Sequence, residues 1–89
     1  MCRNIQTLYN FEPAATQDDV HAAALQYVRK ISGFNKPSKA NEEAFHRAVH
    51  DVADASGRLL SELVTSAPPR SREEDTARRR ARWAERQPA

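Results

Sequence analysis

Four groups of residues in this 89-residue chain carry side chains with usable chemistry. The first is the opening Met1-Cys2-Arg3-Asn4, which holds the only cysteine. Removal of the initiator methionine, usual before a small second residue, leaves a free amine beside a thiol. That pair can chelate a metal through a five-membered ring or act as a nucleophile, and Arg3 with the terminal ammonium raises the thiolate fraction at neutral pH. Against catalysis, no base stands beside Cys2 in the sequence, and a lone cysteine also packs as a small apolar side chain.

The second group is His46, His50 and Asp54, at successive four-residue steps; His-x-x-x-His is a zinc spacing on helices. No glutamate follows His46 directly, as a zinc protease needs, and Asp54 pairs more simply with Arg58 four residues on. This stripe reads first as a solvated polar face. The stretch where the opening segment is expected to dock lies about 15–20 Å along the same helix, which disfavours a Cys2/His46/His50 metal site. His21, beside Asp18 and Asp19, reads as a surface residue.

The third group surrounds a loop. Lys36, Ser38 and Lys39 stand before the second helix, whose unpaired amides attract anions, and Arg29 and Lys30 approach from the end of the first. A phosphate fits this arrangement, although no glycine-rich phosphate loop or Walker-type spacing is present. The simpler alternative is that Ser38 caps the helix and the lysines are solvated. The fourth group is the run "RRRARWAER", which joins Arg78, Arg79, Arg80, Arg82 and Arg86 to the sole tryptophan, Trp83. Arginines neutralise phosphates and release counterions, and Trp83 can stack on an exposed base or anchor in a partner's groove. The bland alternative is a solubilising tail whose tryptophan folds back.

The elements that must position these groups are helices. Thr16 as cap, Asp18 and Asp19 in the first turn, Arg29 and Lys30 in the last and Gly33 as the left-handed stop define a helix over 17–32. Its apolar face is Val20, Ala24, Tyr27, Val28 and Ile31. A second helix begins after Pro37, with Ser38 or Asn41 as cap, and ends near Thr65. Phe45, Val49, Val52, Ser56, Leu59 and Leu63 alternate steps of four and three, widened by Ala48, Ala53, Leu60 and Val64. A loop of roughly eight residues favours an antiparallel hairpin. With Ile31 facing Phe45, Ala23 and Ala24 fall near Ala53, Ser56 and Gly57, giving that mid-helix glycine a packing reason. Leu59, Leu60, Leu63 and Val64 then need a cover. Ile5, Leu8, Tyr9 and Phe11 are expected to supply it, as a helical turn or an extended arm.

Composition limits the rest. A chain of this length makes one small domain, here over 1–66, followed by a basic tail over 67–89. Residues 70–89 hold seven arginines against four acids, whereas 1–69 hold seven basic and eight acidic side chains. Glu74 with Arg78 and Asp75 with Arg79 have helix-supporting spacing, so the tail is expected to be a frayed helix or disordered. A single cysteine forms no internal disulfide, and no apolar run has the length of a signal-peptide core or membrane span. A cytoplasmic location without membrane contact is the expectation.

The opening Met-Cys-Arg-Asn, the Ser32-Gly33-x-x-Lys36-Pro37-Ser38-x-Ala40-Asn41 loop and the Ala48–Leu60 stretch resemble the bacterial domain of unknown function 2277 family, over about residues 1–66. The resemblance implies a complete small protein with its authentic amino terminus. It marks Cys2, Arg3, Asn4, Lys36, Pro37, Ser38 and Asn41 as motif positions, and the family name supplies no function.

The sequence indicates no catalytic residue and no cofactor. The leading expectation is a small non-enzymatic all-α protein that engages RNA, DNA or a ribonucleoprotein. Arg29, Lys30, Lys36, Ser38, Lys39, Arg78, Arg79, Arg80, Arg82 and Trp83 are the candidate contacts. The alternatives are a protein-interaction module or homo-oligomer, since a two-helix core is marginal alone, and a metal or redox accessory role through Cys2.

Overall fold

The computed structural model describes residues 5–86, so Cys2, Arg3 and Asn4 lie outside the described residues. The chain is mostly helical, with α1 (Gln17–Ser32), α2 (Glu42–Glu62) and α3 (Arg72–Arg86). Two-residue strands, β1 (Phe11–Glu12) and β2 (Arg70–Ser71), pair in parallel, Phe11 opposite Arg70 and Glu12 opposite Ser71.

Local chemistry sets both ends of α1. The Asp19 amide donates to Thr16 Oγ1 at 3.2 Å and the Thr16 amide to Asp19 Oδ2 at 2.8 Å, a reciprocal box that satisfies two donors at the helix start. At the other end Gly33 adopts φ 79°, and its amide donates to the Arg29 carbonyl at 2.9 Å. Only glycine enters that left-handed region without steric cost.

Ala24, Val28, Phe45 and Val49 form the core between α1 and α2, with Leu25, Ala48, Val52 and Ala53 packed at its edges. Tyr27 and Ile31, expected on the same face of α1, are exposed, Ile31 at 66%. The contact face is turned toward Leu25, about 100° round the helix from Ala24 and away from the Tyr27 side, whereas Ile31 keeps the direction of Val20 and Ala24 but lies in the last turn, beyond the cluster. Phe45 joins Ala24 and Val28 rather than being covered by Ile31.

Neither Ser38 nor Asn41 caps α2 through its side chain. A 3₁₀ turn, Lys39–Asn41, leads into the helix instead, with the Asn41 amide donating to the Ser38 carbonyl and Asn41 Nδ2 to Ser38 Oγ. The helix stops at Glu62 because Leu63 turns extended, three residues short of Thr65. A Cβ built on Gly57 would meet nothing within 4 Å, so the expected close approach to Ala23 and Ala24 does not account for this glycine.

The expected cover of the last turns of α2 is also corrected. Leu59 and Leu63 are 56% and 43% exposed and Val64 93%, while Leu60 is partly buried. Residues 5–10 form no helical turn. Asn10 sits at φ 63°, its side-chain amide donates to the Ala67 and Pro68 carbonyls, and its carbonyl accepts from the Arg70 amide at 2.9 Å. These bonds tie the opening segment to the chain just beyond α2, and they carry Phe11 to β2.

Within the tail, residues 72–86 form a 15-residue helix, α3, which Ser71 starts by accepting from the Glu74 amide at 3.2 Å. The protein is a slab of 43 × 41 × 17 Å. Its radius of gyration, 15.7 Å, exceeds the roughly 12 Å of a compact chain this long.

Candidate nucleic-acid interface

The arginines of the tail fall into two sets. Arg70 and Arg72, two residues apart, place their guanidinium carbons 4.4 and 4.8 Å from the centroid of the Phe11 ring, which is only 5% exposed. Both separations lie within reach of a cation–π attraction. Arg72 Nη2 is buried with no hydrogen-bond acceptor among the described residues. The attraction of the ring partly offsets that loss of solvation. At the start of α1 the Asp19 carboxyl is held below its ordinary pKa, first by the Thr16 amide that donates to it. An opposing effect of burial comes next, followed by the Thr16 hydroxyl and the Arg72 charge, both of which lower it.

Beyond Ala77 the environment opens. Arg79 is committed to its own helix, with Nε 3.2 Å from Asp75 Oδ2, off the hydrogen-bond direction, and Nη2 donating to Thr76 Oγ1 at 3.3 Å. Arg78 donates weakly to the Glu74 carbonyl at 3.5 Å rather than to its carboxylate. Arg80 and Arg82 are exposed and make no hydrogen bond or ion pair among the described residues. Trp83 is 49% exposed, and no ring or cation contact engages its indole among the described residues. Residues 78–86 carry five arginines against one acid, whereas 72–77 carry one arginine against three. That order of signs suits the helix dipole. The dipole does not account for a half-exposed tryptophan among the arginines.

The loop is less open to an anion. Arg29 Nε donates to the Asn35 carbonyl at 3.0 Å and pins the turn, and Ser38 Oγ is occupied by Asn41. Lys30, Lys36 and Lys39 are exposed. However, Glu42 and Glu43 fill the first turn of α2, where their charges already compensate the amides that would attract a phosphate. The loop follows the end of α1, while Arg72 lies over Phe11, six residues before its start, and the 16-residue helix between them is about 24 Å long. Fold geometry therefore keeps the loop lysines and the α3 junction apart.

Residues 1–78 match the family described as "Uncharacterized conserved protein (DUF2277)". This chain belongs to that family. No curated protein and no solved structure matches it. The DUF2277 match extends past residue 66 to include β2, the Phe11–arginine contact and the start of α3; the arginines from Arg79 onward fall beyond it.

The remaining candidates are dispersed in the DUF2277 fold. His46 sets its ring edge-on against Phe45, with centroids 5.7 Å apart. His50 and Asp54 instead line an open cleft of about 790 Å³ with His21, Val20, Gly57 and Leu60. Asp54 is 3.8 Å from Arg58, the pair expected from their spacing. Among the described residues no three metal-ligating side chains converge, and no helix is long and apolar enough to cross a membrane. The roles of Phe11, Arg70 and Arg72 are not evident from periodicity. One clue was present: Ser71-x-x-Glu74 is the S-x-x-E pattern of a helix start, and it places Arg70 and Arg72 at the junction.

Proposed function

We propose that this chain is a small non-enzymatic binding protein of the cytoplasm that engages nucleic acid or a ribonucleoprotein surface through the second half of α3. The observation that carries the reading is the grouping of exposed Arg80 and Arg82, weakly held Arg78 and half-exposed Trp83 on one short stretch of helix. Lys30, Lys36 and Lys39 form a secondary basic patch. In this reading α1 and α2 are an antiparallel hairpin that serves as scaffold: Val28 packs with Phe45 near the loop, and Gln17 shares the cleft with Gly57 and Ser61. The test is the salt dependence of nucleic-acid affinity. A steep fall of log affinity with log salt is expected, and Arg78→Gln/Arg80→Gln/Arg82→Gln reduces the slope by about 2, at roughly 0.7 per single-strand phosphate contact. Binding that is absent or indifferent to salt overturns the reading.

A second reading, a module that pairs with another copy or another protein, is favoured by the bare end of α2. Leu59, Leu63 and Val64 are exposed there, and Gly57 stands in open space. In a monomer Gly57→Ala stabilises by about 1 kcal/mol, because a helical glycine costs that much and the new methyl meets nothing. Sedimentation together with urea unfolding checks both. A protein that stays monomeric at micromolar concentration and gains stability from Gly57→Ala sinks this second reading.

A further inference from the structure

We propose that α3 selects single-stranded over duplex nucleic acid by stacking an unpaired base on Trp83. This deepens the nucleic-acid reading and rests on it. Trp83 is half exposed, and no aromatic ring or guanidinium engages it among the described residues, although arginines precede it by three and four positions. Residues three and four apart on a helix are surface neighbours, so Arg79 and Arg80 border the indole. The two differ in availability: Arg79 is bound to Asp75 and Thr76, while Arg80 is exposed without a partner among the described residues. Arg78 and Arg82, four apart, form a second row of charge.

A flat apolar surface beside available cations matches two parts of an unpaired nucleotide: the face of a base and its phosphate. A duplex offers phosphates, but its base faces are covered by the neighbouring pairs. Phosphate contact alone therefore binds both forms, and any preference for the single strand must come from the stack. The charge balance of the helix agrees. Three of the four acids of α3 lie at residues 73–75, away from Trp83; the fourth, Glu85, is two residues on, about 200° round the helix from the indole.

The sole tryptophan is its own reporter. The full chain is titrated with a 12-nucleotide oligouridine and with a blunt duplex of equal length at low salt, following both indole emission and anisotropy of the labelled nucleic acid. The oligouridine is expected to quench Trp83 and to bind more tightly than the duplex. Trp83→Ala should weaken oligouridine binding about 10- to 100-fold, as expected for one stacked base, and leave the duplex unchanged. Trp83→Phe should restore part of the loss, and Arg78→Gln/Arg80→Gln/Arg82→Gln should weaken both ligands. Equal affinity for both forms, with no effect of Trp83→Ala, overturns single-strand selection and leaves the nucleic-acid reading standing. Failure to bind either ligand overturns both. Circular dichroism of each variant verifies that α3 is retained.

Discussion

The chain presents arginine beside an aromatic ring twice, at Phe11 and at Trp83, with opposite outcomes. At Phe11 the guanidiniums of Arg70 and Arg72 lie over the ring, the ring is buried, and the contact joins segments 59 residues apart in the parallel register. At Trp83 the neighbouring arginines are either tied to their own helix or bare, and the indole is half exposed. The difference follows from backbone geometry. Residues at i and i+2 around a strand point to one side, so Arg70 and Arg72 converge on a ring brought by β1. On α3 the arginines spread around the helix, and nothing from elsewhere in the described chain faces them. The first arrangement satisfies itself, while the second is left for a ligand.

Truncation separates the two most sharply. Phe11→Ala removes a buried ring and the partner of two guanidiniums, and should destabilise by about 3 kcal/mol, the low end for a buried phenylalanine because part of its cover is arginine rather than apolar core. Trp83→Ala should change stability by less than about 0.5 kcal/mol, as exposed substitutions do. Urea unfolding of both variants checks the pair. Equal losses would erase the distinction between a structural and an available aromatic.

Arg72→Gln probes the closed contact at smaller cost. The loss of a partly desolvated cation–π contact predicts about 1–2 kcal/mol, with no change in the affinity of the folded protein for oligouridine. A binding defect as large as that of the Arg78/Arg80/Arg82 variant would move the interface toward the junction.

How much of this was legible in the sequence depends on the range of the forces involved. The bounds of α1 follow from Thr16, Asp19 and Gly33, each acting within one turn, and they match the expected 17–32. The stripe of α2 is legible as well, but periodicity names an apolar face without saying what covers it. Tyr27, Ile31, Leu59 and Leu63 satisfy the pattern and remain exposed. Phe11 meeting Arg70 was not legible, because a two-residue strand has no period and its partner is remote in the chain. For the candidate site, residue types were readable at Arg78–Trp83, and so was the Asp75–Arg79 pair. Which arginines remain available required the side-chain positions.

The smallest effect tests whether the closed contact reaches α1. Asp19 has a folded-state pKa below its ordinary value, chiefly through the Thr16 amide and in lesser part through Arg72. A carboxyl depressed in the folded state binds fewer protons there than in the unfolded chain, so its contribution is fully present above the unfolded pKa of about 3.9. It is lost as pH falls from there through the lower folded value. Asp19→Asn should therefore cost about 0.3–1 kcal/mol at pH 7, as expected for a first-turn acid, and the gap to the parent protein should narrow below about pH 4. In the Arg72→Gln background the same substitution should cost slightly less, because one favourable charge is already gone. A cost independent of pH, or one unchanged by Arg72→Gln, would detach the start of α1 from the Phe11 contact and leave its capping box as a purely local device.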